Sequence, residues 1–459
     1  MATVKRLNRA AVSGLPGAAR PLVTPGDVAA GVLHLGVGAF HRAHQAVYTE
    51  AAIAAGGGDW AIVAVAPNSR PVIDALREQD NLFSVVELDG AGERVRVNGA
   101  IGGVLHSPTQ REAVLERLAD PAIRVVTLTV TEKAYQPGSD VMRLLAEGLR
   151  RRASDGGAPL AVVSCDNLPA NGSRLRAVLG EAMQGETGPD VTFPCTTVDR
   201  IVPATTEATL ATAQTALGVR DEAAVQAEPY RQWVIEDAFP GGRPCWERAG
   251  AVLTGDVAPW EQLKLRTLNG VHSTLAYLGA LAGCETIADA LRLPGMRDTL
   301  RRFIAEEVAP SFAPPPGVNV VEYGDEVLER FANPAIRHRT IQVAMDGTQK
   351  LPYRVLETVR NRRRDGAEPR YGALVIAAWM RFAAGRADDG RALPLDDPLA
   401  PAVKAKLAGG GSAVDALLGL DQVFPADVAS DGVIRKLIET WYADLARFGA
   451  SAVVARAAS

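Results

Sequence analysis

Short apolar runs, each followed by a stretch of helical composition, constrain the first half of this chain more than any other feature. GVLHLGVG (31–38) ends in glycines, and Phe40 to Ala55 has helical composition. WAIVAVAP (60–67) precedes a short helix, VIDALREQ (72–79). LFSVVEL (82–88) and RVRVNGAIGGVL (94–105) read as strands with turn residues between them. IRVVTLTV (123–130) is rich in β-branched residues, and LAVVSCDN (160–167) leads into a helix over 172–184. Strand and helix in alternation predict an α/β domain, a parallel sheet with helices on its faces.

The second half differs. From about Trp260 strand signals nearly vanish, and 262–283, 296–308, 370–385 and 432–447 carry apolar residues at helical spacing. VIRKLIETWYADLARFG ends at a candidate glycine cap. A length of 459 residues also favours two domains, expected at 1–258 and 259–459. A net charge of −4 argues against a phosphate-coating surface, so no nucleic-acid partner is expected. Apolar runs are broken before about 18 residues, so no membrane span is expected. The N-terminal stretch has no apolar core of signal-peptide length, which makes the cytoplasm the default expectation. Cys165, Cys195, Cys245 and Cys284 form no CxxC pair and read as buried reduced thiols.

HLGVGAFHRAH (34–44) sits between the first expected strand and its helix. Gly36 permits a tight turn, and Gly38 lets backbone approach a pyrophosphate at a helix N-terminus. The usual third glycine is replaced by His41. An acid would normally end the second strand and hold the adenosine ribose, but Ala66-Pro67-Asn68-Ser69-Arg70 has none. Asn68 can bond a ribose hydroxyl, and Arg70 can accept a 2′-phosphate, so this loop leaves NAD and NADP both open. His41 and His44, with His34 nearby, lack the carboxylate or cysteine of a familiar metal set. His41 and Arg42 are expected to face cofactor or packing partners.

KLRTLNGVHSTLAYLG (264–279) places Lys264, Asn269 and one of only six histidines, His272, on an apolar helix. Offsets of five and three residues put them within about 140° of the helix circumference. Moving hydride from a secondary alcohol to a nicotinamide needs a base for the hydroxyl proton. A lysine serves if burial or a neighbouring cation lowers its pKa. An asparagine amide donates to the developing oxyanion, and a histidine can orient the oxygen or the lysine. No zinc is then required.

These motifs resemble the polyol-specific long-chain dehydrogenases, a family that includes mannitol 2-dehydrogenase and fructuronate reductase. The resemblance runs from about Gly31 to Phe448. It rests on GVGAFHRAH (36–44), TEKAY (131–135), SCDNLPANG (164–172), VDRIVP (198–203), EPYRQWVIED (228–237), the Lys264, Asn269 and His272 set, and MDGTQKLP (345–352). It implies a Rossmann-type N-terminal domain and a mostly α-helical C-terminal domain. It implies Lys264 as general base, Asn269 and Asn167 as oxyanion donors, and His272 as the substrate-orienting residue. Asn171 is a neighbouring candidate for the second asparagine, or a turn before the next helix. Glu261 resembles a carboxylate gating proton exit, or is a charge favourable to a helix N-terminus. Asp199 resembles a contact to substrate hydroxyls, or pairs with Arg200. Gly36, Gly38, Ala39, Phe40, Arg42, Asn68 and Glu132 are the candidate cofactor contacts, with NAD expected and NADP open.

For the substrate, Lys350 falls at a family position near the site, and Gln342 stands where the mannitol branch often has arginine. A sugar acid would need cationic partners, and Arg337, Arg339, Lys350 and Arg354 are candidates unless they form a solvated basic face. The expected reaction is hydride transfer between NAD(H) and a polyol, ketose or sugar acid of mannitol/fructose type. D-mannonate oxidoreduction (fructuronate reductase) is the alternative, and an inactive nucleotide-binding sensor is a further one. A monomer or small homo-oligomer is expected.

Overall fold

The computed structural model describes residues 4–90, 92–184 and 190–458. It divides into two compact units, Met1–Ala258 and Pro259–Ser459. The first contains strands β1 (Ala30–Leu35), β2 (Ala61–Ala66), β3 (Phe83–Asp89), β4 (Gly92–Asn98), β5 (Ile101–His106) and β6 (Val125–Leu128). It continues with β7 (Leu160–Ser164), β8 (Val191–Thr192), β9 (Thr196–Asp199), β10 (Val225–Ala227), β11 (Gln232–Glu236) and β12 (Val252–Thr254). The main sheet has the order β5-β2-β1-β6-β7-β8, and every neighbouring pair is parallel. This is the Rossmann-type sheet.

Successive residues of its strands enter opposite cores. Val32 packs with Ile62, Ala64, Val125 and Val163 on one face. Leu33 and Leu35 pack with Val63, Val65, Val126 and Val162 on the other. Both faces are therefore buried, which is why these strands are apolar runs without alternation. The strand order reverses between β1 and β6, and in such sheets ligands bind outside the carboxyl ends of the strands at that reversal.

The stretch expected as strand over 94–105 is two strands in two sheets. β4 pairs antiparallel with β3, while β5 joins β2 in the main sheet. The break is held by buried Glu50, which accepts from the Gly99 N–H at 2.6 Å and Asn98 Nδ2 at 3.2 Å. Gly99 must be glycine, since a Cβ would lie 1.9 Å from the Val23 carbonyl oxygen. Strands β9 to β12, three to five residues long, were not anticipated. They complete two three-stranded sheets, β10-β3-β4 and β12-β11-β9.

The described residues of the second unit form helices, with strand pairing reduced to isolated bridges such as Thr286–Arg339. The helix Gly432–Phe448 ends at Gly449, φ 77°, as its sequence predicts. No helix among the described residues is long and apolar enough to cross a membrane. Among the described residues three helices widen into π-helical turns, at Lys264–Asn269, Phe303–Val308 and Pro352–Leu356. Buried Glu307, in the second of these, accepts from the N–H groups of Tyr371 (2.6 Å) and Gly372 (2.8 Å). It thereby caps the helix Arg370–Ala383.

Burial raises the Glu307 carboxyl from 4.5 to about 7. The folded state then keeps a proton that the unfolded chain releases. The stabilisation this provides is complete below about pH 4.5 and is lost as pH rises through 7. Glu307→Gln is expected to flatten the fall in melting temperature between pH 4.5 and 7, relative to the parent protein, in thermal unfolding followed across that range.

Candidate functional site

In the first unit, β1 is followed by Gly36, whose φ of 105° suits glycine. A Cβ there would lie 2.0 Å from the Thr129 carbonyl oxygen, so β1 and the end of β6 touch through bare backbone. Thr129 Oγ1 donates to the Gly36 carbonyl at 2.7 Å, and His34 Nε2 lies 3.0 Å from the same oxygen. Gly38 caps the short helix Ala39–Ala43 with φ −76° and ψ −174°. A Cβ on Gly38 would meet only the Gly36 carbonyl, 3.8 Å away. The protein itself does not require glycine there. The open face beside Gly38 and Ala39, at the strand-order reversal, fits a dinucleotide pyrophosphate.

One expected cofactor contact is turned inward instead. Arg42 is 7 % exposed and its Nη1 donates back to the Val37 carbonyl at 2.9 Å, so it holds the turn from beneath. Burial lowers its guanidinium pKa to about 10. Phe40 stacks on His44, with centroids 5.1 Å apart. His41 is fully buried and stacked on His34 at 3.4 Å. Burial lowers the pKa of both far enough to keep them neutral at pH 7. Among the described residues no group of three or more His, Cys, Asp and Glu is placed to hold a metal ion. Asn68 is exposed, with its carbonyl 3.4 Å from His106 Nε2. Arg70 is exposed and pairs with Asp74 at 3.4 Å. Glu132 is exposed in a turn that begins at Thr131, whose φ of 71° is unusual for a β-branched residue.

Asp166 fixes that turn. It accepts from the N–H groups of Val130 and Thr131, both at 3.0 Å, and from the Tyr135 hydroxyl at 2.8 Å. The aspartate of SCDN thus ties the loops after β6 and β7 together, with exposed Asn167 next in sequence. Asn171 is different. Its Nδ2 is within 3.2 Å of the Ser164, Asp166 and Thr196 carbonyls and Thr196 Oγ1, and its Oδ1 accepts from the Thr196 N–H. That amide is committed to structure. Asn171→Ala is expected to destabilise the protein by about 3 kcal/mol through stranded partners, read as a lowered denaturant midpoint.

Cys165 is buried, but the other three cysteines are only partly so, contrary to expectation. Burial, reinforced by Asp166, pushes the Cys165 thiol well above its ordinary pKa, which removes it as a nucleophile. Asp199 ends β9 and is 5 % exposed. Arg200 is engaged elsewhere, with Glu87 at 2.6 Å, the Glu228 carbonyl at 2.9 Å and the Ala43 carbonyl.

Helix Ala258–Leu263, which begins at the boundary of the two units, carries Glu261 in its first turn and runs into the π-turn Lys264–Asn269 and then helix Gly270–Leu281. The Gly270 N–H reaches the Leu265 carbonyl, five residues back. That wider turn needs more residues per revolution, so residues five apart come closer to one face than the 140° of a regular α-helix. Lys264 and Asn269 are so related. Gly270 is helical (φ −62°), so Asn269-Gly270 is no turn. The glycine is there because a Cβ would press on the Arg354 carbonyl oxygen at 3.0 Å and face Phe303 at 3.7 Å, both from the other π-turns.

Lys264 is 6 % exposed. His272 stacks on Phe331 (centroids 4.6 Å) and meets His338 edge-on (4.8 Å). Its Nε2 is buried without a hydrogen-bond partner among the described residues. Burial, then the charges of His338, Arg354, Lys350 and Arg330, lower its pKa well below 6.5, so the ring is neutral at pH 7. Arg354 Nη1 donates to Ser273 Oγ at 3.2 Å. Lys350 Nζ donates to the Met345 carbonyl at 2.5 Å and lies 3.9 Å from Asp346. Gly347 of MDGTQK is required because a Cβ would lie 2.5 Å from Trp379 Nε1 and 2.8 Å from the Tyr277 hydroxyl.

Of the cations expected near a substrate carboxylate, the structure therefore brings Lys350 and Arg354 toward His272. Arg337 is exposed and paired loosely with Glu285 at 3.7 Å. Arg339 is exposed at the start of helix Thr340–Ala344, and the residue that reaches His272 is His338 beside it. Gln342 is exposed on that helix. His338 and the π-turns were missed. His338 was open to notice as one of six histidines, while a π-turn leaves no periodicity to read.

The mannitol dehydrogenase Rossmann domain model matches residues 30–248, and the mannitol dehydrogenase C-terminal domain model matches 256–445. The chain belongs to the mannitol dehydrogenase family. Within that family it is 39% identical to the D-mannonate oxidoreductase of Escherichia coli (strain K12), over 96% of this chain and 98% of that one. It is 35% identical to the mannitol 2-dehydrogenase of Cereibacter sphaeroides, again over 96% and 98%. Among solved structures it resembles Pseudomonas fluorescens mannitol 2-dehydrogenase in its ternary complex with NAD and D-mannitol. The TM-score is 0.86 and the identity 32%, covering 98% of this chain and 99% of that one.

Proposed function

We propose that this chain is an NAD-dependent, zinc-independent dehydrogenase that interconverts a secondary alcohol and a ketone on a sugar alcohol or sugar acid of mannitol/fructose type. The observation that carries the reading is the π-turn presenting buried Lys264 and partly buried Asn269 on the helix that continues into neutral His272. Bound NAD supplies the hydride acceptor, and Gly36, Gly38 and Ala39 are the residues that would hold its pyrophosphate.

Lys264 Nζ takes the hydroxyl proton in oxidation and returns it in reduction. Burial disfavours a charged amine, which is the condition a lysine needs to act as base. The Asn269 amide donates to the same oxygen as negative charge develops on it. Asn167 is assigned the second donor role, and Asp199 a contact to substrate hydroxyls. His272, neutral, can donate one N–H without competing for the proton. Glu261, in the turn before Lys264, is assigned the exchange of that proton with solvent.

Lys350, Arg354 and Arg330 act together on His272, and this favours a second reading within the same reaction, oxidation of a sugar acid. A screen at 340 nm should test fructose, mannitol, arabinitol, sorbitol, fructuronate and mannonate, each with NAD(H) and NADP(H). Turnover that survives a chelator supports the proposal. No turnover of any of these, with nucleotide still bound, would favour a sensor instead.

A further inference from the structure

His338 lies outside the set of residues that the reaction requires, yet its surroundings resemble a binding position more than a packing position. Its ring meets His272 edge-on at 4.8 Å and 64°. His338 Nδ1 and His272 Nε2 are both buried, and neither has a hydrogen-bond partner among the described residues. The two imidazoles therefore do not satisfy each other. Phe331 covers one face of His272, which fixes that ring without using its nitrogens. Buried polar atoms are normally paired, and two orphans on adjacent rings beside a proposed catalytic turn point to a ligand.

The charges around the pair narrow the ligand's chemistry. Arg354 is anchored on Ser273, the residue after His272. Lys350 is anchored on the Met345 and Val343 carbonyls, and its charge acts on both histidines. Asp346 opposes it from 3.9 Å, the outer edge of an ion pair. Burial, then Lys350 at His338 and His338, Arg354 and Lys350 at His272, lower both pKa values, so each ring is neutral and can offer one N–H. Neutral N–H donors among cations suit an anionic oxygen pair better than a hydroxyl.

We propose that His338 is a specificity-determining residue that, from its place beside His272, donates to the terminal carboxylate of a sugar-acid substrate. This rests on the dehydrogenase reading above. The test uses the full chain, its His338→Phe variant, which keeps an aromatic edge against His272 but cannot donate, and His338→Asn, which keeps an N–H. Oxidation of D-mannonate and D-mannitol by NAD is followed at 340 nm, NADH affinity by fluorescence, and folding by thermal unfolding.

The expected result is that the parent protein prefers mannonate. His338→Phe should then lower kcat/KM on mannonate by about tenfold or more, the scale of one hydrogen bond to a charged group, mainly through KM and with NADH affinity unchanged. His338→Asn should recover part of the loss. Mannonate turnover unchanged in a folded His338→Phe overturns the inference, as does a parent protein that oxidises mannitol in preference to mannonate. In both cases the dehydrogenase reading stands. A parent protein that oxidises neither overturns the inference, and one that also fails on the rest of the substrate screen while binding NADH overturns both.

Discussion

Lys264→Ala is expected to lower kcat by about 10³-fold, within the range that a positioned acid or base contributes, while NAD affinity stays within about twofold of the parent value. The loss corresponds to about 4 kcal/mol of transition-state stabilisation. The reason is local. Lys264 is 6 % exposed on a π-turn in the second unit, whereas the glycine turn proposed for the cofactor belongs to β1 in the first. Removing the amine takes away the proton acceptor and leaves that turn intact. Steady-state rates and nucleotide binding by fluorescence titration separate the two effects. A kcat within threefold of the parent would sink the assignment of Lys264 as general base. Equal loss of nucleotide binding would show that the lysine acts on structure.

The second large effect is expected at the glycine turn, where two glycines should fail in different ways. Gly38 has a backbone conformation open to any residue and empty space where a Cβ would go. Gly38→Val should therefore leave folding within about 1 kcal/mol of the parent, the scale of a changed helix cap. It should weaken NAD about 100-fold, or ~2.7 kcal/mol, by filling the space through which backbone approaches the pyrophosphate. Gly36 has φ 105° and sits 2.0 Å, by its would-be Cβ, from the Thr129 carbonyl oxygen. Gly36→Ala should destabilise the first unit by at least about 2 kcal/mol before any question of binding arises. Thermal unfolding with and without NAD distinguishes them. Near-parent NAD affinity in Gly38→Val would reject the placement of the pyrophosphate.

Much of this was readable from local pattern. The apolar runs at 31–38, 60–67, 123–130 and 160–167 became β1, β2, β6 and β7, because a strand buried on both faces must be apolar at every position. The short strands β9 to β12 escaped, since three to five residues paired in small sheets leave too little pattern. The 94–105 run looked continuous because nothing local shows that Glu50, far off in sequence, pins the break at Gly99. At the site, Asn171 and Asn167 were neighbouring candidates. Only the contacts of Asn171 with Thr196, twenty-five residues on, commit it to structure. Arg42, expected to face cofactor or packing partners, packs beneath the glycine turn, and Arg339 lies in solvent; neither direction is fixed by neighbouring sequence.

The sequence by itself determined the parallel sheet, the helical second half, the glycine turn and which residues are proposed as base, amide donor and orienting histidine. These follow from residue type and short-range spacing, and both act within a few residues. The π-turn that moves Asn269 toward Lys264, the partnership of His272 with His338, and the choice of Lys350 and Arg354 over Arg337 and Arg339 were decided only in the tertiary structure. Each depends on which distant backbone or ring a side chain meets. The 3.0 Å approach of Gly270 to the Arg354 carbonyl is a property of packed helices that no window of sequence contains.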